Sequence, residues 1–309
     1  MEKLPLNKAK RTLRGKALPV GTVVVGVAIA VAVGVSGASA PPGPLPFGVY
    51  DPVGSFVTDP EVSIEHVFMP WEDVDLSTLQ DADAYALERN RALLITVEPW
   101  TWTRDERNTA AFLRNGIREG YYDANMKGVC AVIGTLQSPV SVRWGHEMEV
   151  DDGQFIWSAW EPEDYISAYK RMIEICRDEA PAINVVWSPI GLDNATDYYP
   201  GDEWVDLVGL SIFGYEPWDM GVLGRRQTYR DLLTERYEEV KEFNKPVFVA
   251  EVGYSGRQDY VDLWDGQVRE ARPDLQLLVG AAYFNQKEVY PWPDGYGLPD
   301  WRLDARVLP

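Results

Sequence analysis

The sequence predicts a single α/β domain of the (β/α)8 TIM-barrel class. Eight apolar runs of strand character recur between Phe47 and Asn285, and amphipathic stretches of helical period separate several of them. About 260 residues are available for this alternation, which is the usual size of such a barrel. A doubly wound sheet is the alternative, but it would not so readily explain why many of the runs end in polar or aromatic side chains.

The predicted elements follow from these runs, taken in chain order. The strands are residues 47–51, 64–71, 92–100, 140–147, 183–189, 205–215, 247–253 and 277–285. Helices are predicted over stretches such as residues 79–89, 109–119, 164–179 and 228–243, where apolar residues recur at intervals of three and four. One face of the third helix would be formed by Tyr165, Ala168, Tyr169, Met172, Ile173 and Cys176.

The first 40 residues have the pattern of an export signal or a signal anchor. Six Lys or Arg residues and one acid fall within the first sixteen, and an uncharged run from Ala17 to Ala40 follows. The run is long enough to span a bilayer, and Pro41 would hinder cleavage after Ala40, so a membrane anchor and a cleaved signal both stay open. We predict a signal or anchor at 1–40, a Pro-rich tether at 41–46 and one catalytic domain at 47–309. The domain would lie outside the cytoplasm, either secreted or anchored to the membrane.

Without its basic leader the chain is strongly acidic. Removing six basic residues and one acid from totals of 29 and 48 leaves 23 Lys plus Arg against 47 Asp plus Glu, a formal net charge near −24. Such a surface repels nucleic acid and anionic lipid, so we expect no nucleic-acid partner and favour a neutral polymer as substrate. We expect contact with a membrane only through residues 1–40, and a monomer.

The few cysteines and histidines lack the spacing of metal ligands. They are Cys130, Cys176, His66 and His146, so we expect no metal and no other cofactor. The cysteines fall in predicted helices on either side of the strand that ends at Glu147, where a disulfide and two buried free thiols are equally compatible with the sequence. His66 lies in mid-strand, which favours a structural role.

Two predicted strands end in a glutamate. Residues 139–149 pass from a β-branched run to Arg143, His146 and Glu147, and residues 245–254 repeat the form around Glu251. The first stretch alone fits a catalytic acid and a structural ion pair equally well. Because the carboxyl ends of parallel barrel strands meet on one face, the two glutamates together predict the carboxylate pair that glycosidic bond cleavage requires.

The residues around the first glutamate resemble a family motif. Arg143-Trp144-Gly145-His146-Glu147-Met148 is similar to the Arg-x-x-His-Glu-Met motif of glycoside hydrolase family 26, which includes β-mannanases and β-1,3-1,4-glucanases. Residues 120–123, 199–206 and 245–254 also resemble that family, and the likeness extends from about Phe47 to Arg302. The resemblance supports the predicted barrel.

The resemblance also implies roles for individual residues. Glu147 would be the acid/base and Glu251 the nucleophile of a retaining double displacement, with carboxyl groups about 5–5.5 Å apart. His146 would reach sugar hydroxyls or the nucleophile. Tyr215 would hydrogen-bond to the nucleophile, and Trp292 would lie beneath the sugar at the cleavage site.

Further substrate contacts are predicted from side chains at strand ends and in the following loops. Indole faces stack on pyranose rings, which leaves the sugar hydroxyls free to bind acids and amides. The additional predicted substrate-binding residues are Trp100, Trp144, Trp157, Trp160, Arg143 and Glu98. Two positions depart from the family pattern. Residues 149–153 intervene after the motif, which leaves the leaving-group subsites open, and Glu98 stands where mannanases often present a different polar residue, which leaves the sugar open.

The function expected from these residues is that of a retaining endo-β-glycanase. Its substrate would be a β-linked polysaccharide, either mannan or mixed-linkage β-1,3-1,4-glucan. One alternative is a carbohydrate-binding protein that kept the fold without turnover, although the presence of both Glu147 and Glu251 argues against it. The other is a transglycosylase in exopolysaccharide assembly.

Overall fold

Eight parallel strands form a closed barrel. A computed structural model describes residues 43–101 and 108–309, and in it each strand pairs with the next and the last pairs with the first. The strands are β1 (Phe47–Tyr50), β2 (Val62–Pro70), β3 (Ala92–Glu98), β4 (Val140–Trp144), β5 (Asn184–Trp187), β6 (Leu207–Tyr215), β7 (Val247–Ser255) and β8 (Leu278–Phe284). The predicted (β/α)8 barrel is therefore confirmed.

Helices follow most of the strands. They are α1 (Ser77–Glu88), α2 (Ala110–Glu119), α3 (Asp123–Ile133), α4 (Pro162–Glu179), α5 (Glu216–Trp218), α6 (Tyr229–Val240) and α7 (Gln258–Asp265). Short 3₁₀ turns lie at Ala195–Tyr198, Asp202–Trp204, Lys241–Phe243 and Pro293–Gly295, and a π turn lies at Asp219–Leu223. The six residues predicted to share one face of α4 are all buried.

Apolar side chains fill the barrel and the layer around it. One buried cluster comes from strands alone, namely Ile64, Ala92, Leu94, Val186, Leu207, Phe248, Ala250 and Ala282. A larger cluster joins the strands to the surrounding helices. Because both faces of the strands are covered, strands such as β3 and β7 have the continuous apolar runs typical of parallel sheets.

A disulfide connects two helices that flank β4. Cys130 on α3 and Cys176 on α4 are bonded, and both side chains are fully buried. Of the two possibilities that the sequence left open, the structure therefore has the disulfide. The described residues contain no free cysteine.

The predicted leader lies outside the described residues. Residues 1–40, predicted as a signal or anchor, and the first two residues of the tether are not part of the described ranges. Within 43–101 and 108–309, none of the helices has the length and apolar character needed to cross a membrane.

Candidate active site

A cavity opens where the strands end. Its volume is about 690 Å³, and its walls come from strand ends and the loops that follow them, including Tyr50, Phe68, Glu98, Ser211 and Phe284. This size is within the range of ligand-binding clefts, and the carboxyl ends of barrel strands are where substrates bind in this fold.

Glu147 reaches this cavity through an unusual backbone turn. Strand β4 ends at Trp144, three residues before the predicted end, and both Gly145 and Glu147 have a left-handed backbone with φ of 55°. The Glu147 amide donates a hydrogen bond of 2.8 Å to the Ser188 carbonyl just beyond β5, which fixes the turn. A left-handed conformation costs a non-glycine residue about 1–2 kcal/mol and is concentrated at functional sites. The surrounding structure therefore offsets this conformational energy and holds half-buried Glu147 in the cavity wall.

Glu251 is placed by a β-bulge rather than by a strand end. Strand β7 continues to Ser255, so the prediction that it ends near Glu251 was wrong. Leu210 on β6 pairs with Val249, whereas Ser211 pairs with Glu251, so β7 carries one extra residue at Ala250. Bulges re-aim side chains beside active sites, and this one places buried Glu251 in the cavity wall without ending the strand.

The two glutamates lie close together across the cavity. One carboxylate oxygen of Glu147, one of Glu251 and a ring nitrogen of His146 all lie within 4.8 Å of one another. The two carboxyl groups are therefore close in space, as predicted, although they are more than a hundred residues apart in the chain. At this separation one carboxylate can attack a sugar carbon while the other protonates the departing oxygen.

A buried arginine lies beneath the pair. The Arg143 side chain is fully buried, and its Nη1 donates a hydrogen bond of 2.5 Å to Glu251 Oε1. Nη1 also contacts Thr96 Oγ1 at 3.4 Å, and Nη2 contacts Ser211 Oγ at 3.5 Å. Arg143 was predicted to bind substrate, but its burial contradicts that role. It is a positioning residue that neutralises and orients Glu251.

The surroundings raise the pKa of both carboxyls. Burial, followed by the negative charge of Glu251, raises the pKa of Glu147 to about 8. Burial also raises the pKa of Glu251 from its ordinary value, and Arg143 opposes that rise through its charge and its hydrogen bond. Arg143 bonds only one of the two acids, so a single shared proton is favoured on Glu147.

The histidines near the pair are neutral. Burial and the neighbouring Arg143 charge lower the pKa of His146 and of His66 well below the ordinary value of 6.5. His146 lines the cavity, and its Nε2 lies 3.9 Å from Glu251 Oε1. A neutral imidazole can exchange hydrogen bonds with sugar hydroxyls without competing with Arg143 for the carboxylate.

His66 supports the bulge from below. Its ring hydrogen-bonds to the backbone of Ala250, and its Nε2 lies 2.7 Å from Thr96 Oγ1. The structural role that the sequence favoured for His66 is therefore supported, with a specific task. It provides a partner for the backbone at the residue before Glu251.

One group of acid and histidine side chains is close enough to share a cation. Among the described residues it consists of His146, Glu147 and Glu251, which are the groups just described. Arg143 already supplies a positive charge at Glu251. The arrangement therefore balances its charge with residues of the chain itself.

Four of the other predicted substrate-binding residues line the cavity. They are His146, Trp100, Trp292 and Glu98. Burial, followed by the charge of Glu251, raises the pKa of Glu98 to about 7, so Glu98 exists in both protonation states near neutral pH. Trp100 hydrogen-bonds to Glu98 and thereby joins two of these residues.

Three predicted tryptophans are buried instead. Trp144 and Trp157 have no exposed surface and Trp160 has 3%, so the prediction that they contact substrate was wrong. Trp144 packs among Trp71, Tyr165 and Tyr169, behind the strand. Trp157 donates to the His146 carbonyl at 2.7 Å, and Trp160 donates to the Ile156 carbonyl at 2.8 Å. They support the loop that carries the catalytic candidates.

Tyr215 lies too far along its strand to bond to Glu251. The register pairs Tyr215 with Ser255 and pairs Ser211 with Glu251, four residues earlier. The Tyr215 ring packs edge-on against Trp292 and Trp301, with centroids 6.0 and 6.1 Å away. Across the described ranges no hydrogen bond joins Tyr215 to Glu251. The hydrogen bond to the nucleophile that the family resemblance implied for Tyr215 is therefore absent from the described residues. The β6 residue that pairs with Glu251 is instead Ser211, which hydrogen-bonds to Glu147.

Sequence reasoning missed several cavity residues. They are Ser211, Tyr50, Phe68, Phe155 and Phe284. Tyr50 and Phe284 each precede a predicted strand end by one residue, so attention to all aromatic residues at strand ends would have found them. Ser211 lies inside a strand and carries no distinguishing pattern.

Comparison with known proteins agrees with this geometry. The model of glycosyl hydrolase family 26 matches residues 126–287, just over half of the chain. A β-1,3-xylanase of a Vibrio species is 28% identical over 176 residues, which cover 52% of this chain and 34% of that protein. A mannan endo-1,4-β-mannosidase of Caldalkalibacillus mannanilyticus is 30% identical over 122 residues, which cover 35% of this chain and 20% of that protein.

The fold is shared with solved structures. The family 26 β-mannanase BoMan26A of Bacteroides ovatus superposes with a TM-score of 0.56 at 18% identity, covering 78% of this chain and 80% of that one. At this identity the likeness concerns the fold alone. The matched family segment includes β7, which carries Glu251, and β4 with the turn after it, which carries Glu147. The chain belongs to glycosyl hydrolase family 26.

Proposed function

We propose that this chain is a retaining endo-β-glycanase that hydrolyses internal O-glycosidic bonds of a neutral β-linked polysaccharide. The observation that carries the proposal is the approach of Glu147 and Glu251 oxygens within 4.8 Å at the cavity. Mannan and mixed-linkage β-1,3-1,4-glucan are the proposed substrates, and the names of the relatives add β-1,3-xylan to the backbones worth testing.

In the first step Glu251 is the nucleophile. Its carboxylate oxygen forms a bond to the anomeric carbon as the glycosidic carbon–oxygen bond breaks, and the protonated Glu147 gives its proton to the departing oxygen. Arg143 holds Glu251 in the orientation for attack and favours its ionised form. The products of the step are a glycosyl ester on Glu251 and a free sugar hydroxyl.

In the second step Glu147 acts as the base. The ester removes the negative charge of Glu251, which is the second-largest cause of the raised pKa of Glu147. The pKa of Glu147 therefore falls in the intermediate, and its carboxylate can take a proton from the attacking water. Hydrolysis of the ester regenerates Glu251 and releases a product with the original anomeric configuration.

The predicted export of the chain agrees with a polymer as substrate. The buried disulfide between Cys130 and Cys176 is typical of proteins that fold in an oxidising compartment. A polysaccharide outside the cytoplasm would meet the enzyme there. The proposed location is secreted or membrane-anchored, as the basic and apolar pattern of residues 1–40 predicts.

Carboxylate-to-amide variants test the two roles on a panel of mannan, mixed-linkage glucan and β-1,3-xylan. We expect Glu251→Gln to lose at least about a thousandfold in kcat/KM on every substrate, because no ester can form. Glu147→Gln should lose as much kcat/KM on polysaccharide, but its kcat/KM should fall far less on 2,4-dinitrophenyl glycosides, whose leaving group needs no proton. The readouts are reducing-end release and dinitrophenolate absorbance.

Glu149→Gln is the matched control. Glu149 is two residues from Glu147 and buried, and its Oε1 accepts a hydrogen bond from the Gly191 amide that glutamine can also accept. It should retain activity within about threefold. If Glu149→Gln lost more activity than Glu147→Gln, the assignment of the acid would be wrong. Proton NMR should detect the β-anomer as the first product, and an initial α-anomer would contradict retention.

The same measurements separate the alternative functions. A carbohydrate-binding protein would bind a panel member without releasing reducing ends from it. A transglycosylase would give products longer than the donor when acceptor oligosaccharides are added. Sizing of the products with and without acceptor distinguishes these outcomes from hydrolysis.

A further inference from the structure

One wall of the cavity is formed by a segment that follows β8. We call this segment, residues 285–301, the arm. The arm folds back on itself, because the Glu288 amide donates to the Pro299 carbonyl at 2.9 Å and the Trp301 amide donates to the Gln286 carbonyl at 3.2 Å. Eight consecutive arm residues, 286–293, line the cavity.

The arm contacts loops on two other parts of the barrel. The Tyr290 hydroxyl donates a hydrogen bond of 2.9 Å to the backbone carbonyl of Asp152, in the loop after β4. Trp218 Nε1, after β6, donates a hydrogen bond of 3.0 Å to Asp294 Oδ2 near the turn of the arm. The arm is thus supported at its base and turn, whereas among the described residues one exposed hydrogen bond joins Tyr290 to the β4 loop.

The barrel topology shows which parts of the mouth this bond connects. In the closed order of eight strands, β4 and β8 are opposite each other, with β1–β3 on one side and β5–β7 on the other. A bond between loops of opposite strands separates those two sides at the mouth. Both Asp152 and Tyr290 also line the cavity, so the bond lies at its edge and not on a remote surface.

The cavity itself continues on both sides of the bond. On the β1–β3 side it is lined by Tyr50, Phe68 and Glu98, and on the β5–β7 side by Ile190 and Leu223. The bond between Tyr290 and Asp152, called the bridge, thus lies between two parts of one continuous cavity. The paired glutamates, on β7 and after β4, line the same cavity.

We infer that the bridge between Tyr290 and Asp152 closes the cavity into a tunnel. The enzyme thereby selects a single unbranched glycan chain, which threads beneath the bridge to place an internal bond at the glutamates. The inference rests on the proposed function. A tunnel encloses the backbone of the polymer, so a sugar branch on that backbone enters only when the bridge opens. Tyr290 is thereby a specificity-determining residue, and linear polymers are the preferred substrates.

Removal of the bridging hydroxyl is the first test. In Tyr290→Phe only the hydroxyl is lost, and Tyr121→Phe is the matched control because Tyr121 is 65% exposed and its hydroxyl bonds to Glu119 instead. We expect Tyr290→Phe to raise kcat/KM on branched galactomannan about fivefold relative to linear mannohexaose. Loss of one hydrogen bond should increase by about that factor the fraction of molecules in which the bridge is open. An unchanged ratio in Tyr290→Phe would overturn the inference.

Locking the bridge is the second test. The described residues have no free cysteine, so Asp152→Cys combined with Tyr290→Cys provides two thiols for a short bis-maleimide. The cross-linked protein should keep hydrolysis of mannohexaose and lose at least about tenfold on galactomannan, relative to the same variant treated with N-ethylmaleimide. Equal losses on both substrates, or none on galactomannan, would contradict threading.

A binding measurement separates failure of this inference from failure of the proposed function. Calorimetry in a Glu147→Gln background measures the affinity for mannohexaose and for a galactosyl-branched mannopentaose, with and without the cross-link. A cross-link that weakens only the branched ligand supports the tunnel even if the parent protein releases no reducing ends. Equal affinities with the cross-link in place overturn the tunnel, whatever the activity.

Discussion

At the scale of single residues, the site works by giving two glutamates unequal neighbours. Arg143 bonds Glu251, whereas Glu147 receives a hydrogen bond from Ser211 and the repulsion of Glu251. Burial raises the pKa of both acids, and the asymmetry decides which one keeps the proton. Both histidines stay neutral because burial lowers their pKa, so the carboxyl groups, including Glu98 with its pKa of about 7, govern the pH dependence.

The pH profile tests this division of roles. For the parent enzyme kcat/KM should fall on the alkaline side as Glu147 loses its proton near its pKa of about 8, and on the acid side as Glu251 gains one. Arg143 lowers the pKa of Glu251, so in Arg143→Met that pKa rises and the acid limb moves to higher pH. Steady-state kinetics between pH 4 and pH 9, at about half-unit intervals, measure the shift.

The control for this prediction is Arg171→Met. Arg171 bonds Asp123 and its side chain is 40% exposed, so its loss should leave both limbs in place. Arg143→Met should also lower the free energy of unfolding by about 3–5 kcal/mol, because it leaves Glu251 buried without its partner. An acid limb that stays fixed in a folded Arg143→Met would show that Arg143 does not set the charge of Glu251.

The sequence predicted the neighbourhood of these residues better than their orientation. Glu147, His146 and Trp292 were correctly placed at the cavity because strand ends and the motif identify them. Trp144 and Trp157 were misjudged because tryptophan type and loop position do not reveal which way an indole points. The roles of the cavity residues toward substrate stay predictions.

At the scale of elements, strand bounds were predicted to within a few residues. Buried parallel strands have continuous apolar runs between polar loops, and such runs are visible without any contact information. The bulge at Ala250 was not predictable, because it depends on the register between β6 and β7. Helix α7 was also missed, since it has only eight residues and its apolar pattern is short.

The link between α3 and α4 allows a prediction about stability. Replacing Cys130 and Cys176 together by alanine should lower the free energy of unfolding by about 2–4 kcal/mol, because the unfolded chain regains the freedom of a long loop. The value of kcat should stay within about twofold, since both sulfurs are buried between helices that support β4 from outside. Urea denaturation with parallel kinetics measures both quantities. Unchanged stability would indicate that packing alone holds α3 against α4.

At the scale of the whole molecule, we expect the acidic surface charge to restrict which polymers are substrates. The formal net charge of the chain is −19, and the predicted catalytic segment is more acidic still. A neutral polymer meets no long-range repulsion from such a surface, whereas an acidic one does. The leader at 1–40, the tether and the location stay predictions, because the described residues begin at 43.

Ionic strength tests this restriction. We expect hydrolysis of a carboxymethylated glucan to rise severalfold between about 10 mM and 300 mM NaCl, as the Debye length shortens from about 30 Å to less than 10 Å. Hydrolysis of the unmodified glucan should change less than about twofold over the same range. Equal salt responses of the two polymers would show that surface charge does not influence access to the cleft.

The left-handed backbone at Glu147 has a consequence for engineering. A redesign that scores folding stability alone would favour glycine at this position, because glycine adopts positive φ without strain. Such a redesign would improve thermal tolerance and remove the acid in the same change. Variants made for heat resistance should therefore hold this residue fixed and seek their gains in the outer helices.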